Sequence, residues 1–91
     1  IDGKITDVMN PTPIDKKFEA FGWNVISIDG NNLEEIEAAV LAAKACKGKP
    51  TAVVCHTTKG KGVSFMENQV GWHGAAPNKE QYEQAVAELM A

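Results

Sequence analysis

Lys59-Gly60-Lys61-Gly62 sets two lysines among glycines, and fourteen positions after Lys59 stands His73, between Trp72 and Gly74. The lysines follow a short apolar run that reads as a strand. A glycine-rich loop at the carboxyl end of a strand can bring backbone N–H groups and an ammonium up to a phosphate. A histidine later in the same loop supplies the side chain that titrates near neutral pH. The pair points to a phosphorylated cofactor or substrate and to proton-transfer chemistry.

Each of these residues also has a plainer role open to it. KGKG fits a solvated lysine turn, since lysine and glycine are common in exposed loops. His73 fits a surface histidine, or one hydrogen-bonded locally to hold the loop. Trp72 fits a packing anchor. His56, at the strand terminus, reads as a structural histidine, and Glu67 and Asn68 as solvated loop residues. Glu34, Glu35 and Glu37 read as a solvent face and helix N-terminal charge, not as a metal site.

The elements that must position these residues follow from punctuation and periodicity. Thr12-Pro13-Ile14-Asp15 reads as a helix start, with Thr12 as cap, and the helix is expected to stop at Gly22. Trp23 to Ile28 reads as a strand. Asn32, with Glu35 three residues on, opens a second helix through a capping box. Its Leu33, Ile36, Val40 and Leu41 recur at helical spacing. Gly48 and Pro50 end it and lead into Thr51–Cys55, a continuous apolar run typical of a buried parallel strand. A long loop then runs from about Thr57 to Asn78, and loops of that length are usually functional or disordered. Asn78 and Gln81 start a last helix with Tyr82, Val86, Leu89 and Met90 as its apolar face. The order predicts a βαβ crossover in an α/β fold, and two strands alone leave a parallel sheet incomplete.

Bulk properties narrow the class. The chain has 91 residues, enough for one small domain with a thin core. A net charge of −3 and a pI near 5.3 argue against a general nucleic-acid binder. No apolar stretch is long enough to span a membrane, and none reads as a signal peptide. Cys46 and Cys55 form no CxxC pattern and have no Cys/His cluster nearby, so two free thiols in a reducing cytosol are expected. The opening IDGK reads as the inside of a domain, so the chain is expected to be a piece of a longer one.

Taken in order, IDGKITDVMN, FEAFGWNV, KPTAVV and TTKGKGVSFMENQVGWHG closely resemble transketolase. The match is to the second half of its N-terminal, thiamine-diphosphate-binding domain, or to the N-terminal subunit of split transketolases, and it covers nearly all of residues 1–91. The resemblance implies part of a three-layer, parallel-sheet thiamine-diphosphate-binding fold. It implies an enzyme of the pentose phosphate pathway, cytoplasmic, moving a two-carbon ketol unit between sugar phosphates. The cofactor carries the hard chemistry while the protein positions it and moves protons. By position, Lys59 matches the family's diphosphate-side lysine. His73 matches the histidine that reaches both cofactor and donor sugar.

The resemblance also implies magnesium, but the family's metal ligands lie upstream of the position of Ile1 and no GDG motif occurs here, so no metal ligand is expected in this chain. A pyrimidine-binding domain or C-terminal subunit is the implied partner, in a homodimer or heterotetramer, and the isolated chain is expected to be inactive. Two rivals share features: the related thiamine enzyme that makes deoxyxylulose phosphate, with its own KGKG turn and following histidine, and a half-domain binding module without catalysis. The WHGAAP context favours transketolase over the first.

Overall fold

Two runs of β-branched residues meet in the computed structural model, which describes residues 1–91, as a parallel pair. β1 is Asn24–Asp29 and β2 is Thr51–His56. Their register runs from Asn24 opposite Thr51 to Asp29 opposite His56. The chain falls into two units, Lys4–Thr57 and the segments Ile1–Gly3 with Thr58–Ala91.

The first unit holds three helices and both strands. Helix α1, Ile5–Val8, is one short turn that no apolar periodicity announces. Helix α2 is Ile14–Ala20 and α3 is Leu33–Ala45, and both pack on β1 and β2. The expected cap of α2 is not made. The Thr12 hydroxyl and amide both donate to Asn10 Oδ1, at 2.6 and 3.0 Å, so the hydroxyl is engaged outside the helix. Pro13 precedes the first turn without a side-chain cap. At the other end Gly22 takes φ +85°, the left-handed conformation that ends a helix and strains other residues.

Trp23, expected to open the strand, instead belongs to the end of α2. Its amide donates to the Phe18 carbonyl at 3.2 Å, and its ring meets Phe18 edge-on at 5.0 Å. The ladder begins one residue later, where the Asn24 amide donates to the Pro50 carbonyl.

Asn32 caps α3 as expected, its Oδ1 accepting from the amides of Glu34 and Glu35. The reciprocal half of the box is absent. The Glu35 carboxylate reaches past Asn32 and accepts from the Asp29 amide at 2.7 Å, tying the helix to the end of β1. The face that α3 buries is only partly the one its large residues mark: Ile36 is half-buried beside Ala39, which is 2% exposed, whereas Leu33 is 80% exposed. Alanine lets a helix approach the strands closely, and Leu33, Val40 and Leu41 are left uncovered.

The second unit carries α4, Lys79–Met90, opened by a complete capping box of Asn78 and Gln81. Here too a small residue, Ala85, faces inward, while Tyr82, Val86, Leu89 and Met90 are exposed. Buried apolar residues number four in the whole chain: Ala39, Ala52, Val63 and Ala85. No large side chain is fully buried. The chain thus presents apolar helix faces and two edge strands that its own residues do not cover. No helix is long and apolar enough to cross a membrane.

Candidate functional site

The long loop is a built structure. From Thr58 to Gln69 it is a succession of hydrogen-bonded turns, and Val70–His73 forms a 3₁₀ helix. The amide of Lys61 donates to the Thr58 carbonyl and that of Val63 to the Gly60 carbonyl. Met66 and Glu67 then both donate to the Val63 carbonyl, closing one helical turn. Val63, 6% exposed, is the buried side chain of this turn.

Gly60 and Gly62 are required by this path, at φ +70° and +95°. A Cβ on Gly60 would stand 2.6 Å from the Met66 carbonyl oxygen, which backbone cannot relieve without moving. The glycines thus have a conformational role in the turn, beside any part in approaching a phosphate. Four amides of the loop are already committed: Lys61 to Thr58, Gly62 to the Glu67 carboxylate at 3.0 Å, Val63 to Gly60, and Ser64 to Glu88. They are not left open as an anion nest. The amides of Lys59 and Gly60, by contrast, donate to no acceptor within the chain.

The two lysines differ. Lys61 lies 4.0 Å from Glu67 Oε1, a loose exposed pair. The Lys59 ammonium has no ion-pair or hydrogen-bond partner in the chain, while its backbone carbonyl accepts from the Asn68 amide at 2.9 Å. A fixed backbone under an unpaired ammonium is a good anchor for an anion. His73 is the last residue of the 3₁₀ helix and is exposed, its ring free of hydrogen bonds within the chain. Trp72 is the anchor the sequence suggested. Its Nε1 donates to the Phe65 carbonyl at 3.1 Å, and the two rings meet edge-on at 5.5 Å. Lys59 and His73 are therefore both tied to the same turn, Lys59 through the Asn68 amide and His73 through its neighbour Trp72.

Glu67 and Asn68 carry more than solvation. Glu67 holds the Gly62 amide, and Asn68 adopts φ +58°, a conformation that asparagine tolerates better than most residues. Ser64 and Glu88, which no motif singles out, complete the lattice. His56 lies in the other unit, its Nε2 3.0 Å from the Ser27 hydroxyl across the strand pair, in keeping with a structural role. No group of three or more His, Cys, Asp or Glu side chains is arranged to hold a metal ion. Cys46 and Cys55 are unpaired.

A parallel-strand α/β unit followed by a lysine- and histidine-bearing loop defines a candidate phosphate-ligand-binding segment. Residues 1–89 match the family described as transketolase, thiamine diphosphate binding domain, and the chain belongs to that family. It is 44% identical over 89 residues to the 6-deoxy-6-sulfo-D-fructose transketolase subunit SqwG of Clostridium sp. (strain MSTE9), covering 98% of this chain and 32% of that protein. To an apulose-4-phosphate transketolase subunit of Phocaeicola vulgatus it is 39% identical, with the same coverage. To human transketolase it is 39% identical over 74 residues, 81% of this chain and 11% of that protein. The chain thus spans about a third of the length of the split-enzyme relatives it matches.

Proposed function

We propose that the chain works as part of a transketolase moving a two-carbon ketol unit between sugar phosphates, with Lys59 on the cofactor's diphosphate and His73 at the donor sugar. The observation that carries this reading is the unpaired Lys59 ammonium on a backbone pinned by Asn68, in a chain of the transketolase family. The donor set suits a diphosphate: one exposed cation, with no competing carboxylate bound to it. Thiamine diphosphate, when bound, supplies the carbanion chemistry that two-carbon transfer requires.

The remaining work falls to the chain. Lys59 neutralises part of the diphosphate charge and so retains the cofactor. His73 holds or moves a proton at a donor hydroxyl while the carbon–carbon bond breaks, a role normally worth ~10²–10⁴ in rate. Magnesium binds through few protein carboxylates together with diphosphate oxygens. Its protein ligands are assigned outside residues 1–91.

The uncovered faces of α3 and α4 and the two edge strands support a further part of this reading. They fit burial by the rest of a three-layer domain and by a pyrimidine-binding domain or C-terminal subunit, in a homodimer or heterotetramer. A cytoplasmic enzyme of the pentose phosphate pathway is the setting this implies.

Product analysis of the assembled enzyme tests it. Xylulose and ribose phosphates should be consumed. Turnover of pyruvate with glyceraldehyde phosphate instead would assign the chain to the deoxyxylulose phosphate enzyme, and no turnover with either pair would favour a non-catalytic module.

A further inference from the structure

Glu88 lies near the end of α4, far in sequence from the loop, yet its carboxylate makes the shortest contacts in the second unit. Oε2 accepts from the Ser64 amide at 2.6 Å and Oε1 from the Ser64 hydroxyl at 2.7 Å. Gln84, one turn earlier on α4, donates to the same Oε1 at 2.9 Å and orients it. The Ser64 amide stands at the start of the single helical turn that Val63 closes with Met66 and Glu67, where the turn itself offers no acceptor. A carboxylate there satisfies the orphan N–H and faces the positive end of the turn's dipoles.

Beside it, Leu89 Cδ2 lies 3.0 Å from where a Cβ on Gly62 would stand. The last turn of α4 thus rests on the glycine-rich loop through two successive residues. The capped turn in turn holds both candidate ligand groups. Asn68, at its far end, bonds the Lys59 carbonyl, and Phe65, within it, accepts from the Trp72 indole next to His73.

We propose that Glu88 is a positioning residue that sets Lys59 and His73 together, by capping the 63–68 turn to which both are tied. The inference rests on the reading of Lys59 and His73 as ligand groups. Its coupling of Glu88 to the loop can be measured without any ligand.

The experiment is amide and indole hydrogen exchange by NMR on the assembled, cofactor-free enzyme, with the His73 ring-proton shifts read in the same samples. The parent is compared with Glu88→Ala, Glu88→Gln and Glu83→Gln, the last an exposed α4 residue outside the lattice. Losing hydrogen bonds to a charged acceptor should speed Ser64 exchange by about tenfold or more in Glu88→Ala. Asn68 and the Trp72 indole should follow, and the His73 ring protons should shift. Glu88→Gln, which keeps one carbonyl acceptor, should restore part of the protection. Glu83→Gln and the β1–β2 amides should match the parent.

Faster exchange at Ser64 alone, with Asn68, Trp72 and His73 unmoved, would overturn the proposal. So would equal acceleration of the β1–β2 amides, which would mean general destabilisation. Because no cofactor is present, a failed cofactor titration would count against the functional reading and leave this result intact.

Discussion

The two units are held by different means. In Lys4–Thr57 a six-residue parallel ladder and two flanking helices carry the structure, and the side-chain bonds sit at its ends, at Asn32, Glu35 and Asn24. In the Thr58–Ala91 segment no ladder exists. A turn is closed by Val63, capped by Glu88, braced by Glu67 and tied by Trp72. A continuous ladder tolerates loss of one side chain better than separate turns braced by side chains. That rigid, capped loop bears the residues suited to chemistry, where misplacement of a group by about 1 Å can cost ~100-fold in rate.

The largest expected effect lies in the loop. In the assembled enzyme, His73→Ala should lower turnover by ~10²–10⁴ while changing cofactor affinity far less. Steady-state rates at saturating cofactor check this, and an unchanged rate would remove His73 from the chemistry.

Gly60→Ala comes next. Its φ of +70° and the 2.6 Å approach to the Met66 carbonyl should cost about 1–3 kcal/mol, read by denaturant unfolding. Exchange of the Val63–Asn68 amides should rise before that of β2. A parent-like curve would mean the loop is softer than its hydrogen bonds imply.

In the other unit, Asn32→Ala removes the cap of α3 and should cost about 1 kcal/mol, with the loop amides unaffected. Fraying that spreads into residues 58–73 would break the contrast between the units.

The smallest effect is one of pH. The Ser64 amide, Gln84 and the Ser64 hydroxyl all donate to Glu88 and hold its carboxyl below the ordinary glutamate range. A folded-state pKa below the unfolded one contributes stability above the unfolded value, and that contribution is lost as pH falls through the folded value. Ser64 exchange protection, corrected for intrinsic rates, should therefore hold from neutral pH through the ordinary glutamate range. Below it protection should fade in the parent but not in Glu88→Gln.

Much of the fold was legible because backbone punctuation is local. Gly22, Asn32, Gly48–Pro50 and Asn78 mark element ends by properties that need no partner, and they lie at or beside the observed ends. Which helix face turns inward was legible only in part: Ile36 of the α3 stripe is half-buried, whereas every large residue of the α4 stripe is exposed. Large residues mark the apolar stripes, but Ala39 and Ala85 make the close approach, and that depends on what else is there to cover the rest.

In the loop, glycine, lysine and histidine types were readable, but the conformational role of the glycines was not. Positive φ and a carbonyl 2.6 Å away arise only once Met66 folds back on Gly60. Glu88 was hidden for the same reason. Nothing in AELM signals a partner 24 residues upstream.

Calorimetric titration of thiamine diphosphate with magnesium into the assembled enzyme, parent against Lys59→Ala, tests the central claim most directly. The account predicts a Kd weakened by about tenfold or more, since a charge-assisted contact to the diphosphate is lost, with turnover at saturating cofactor near that of the parent. Superimposable isotherms would contradict it and leave Lys59 a solvated lysine on a well-made turn.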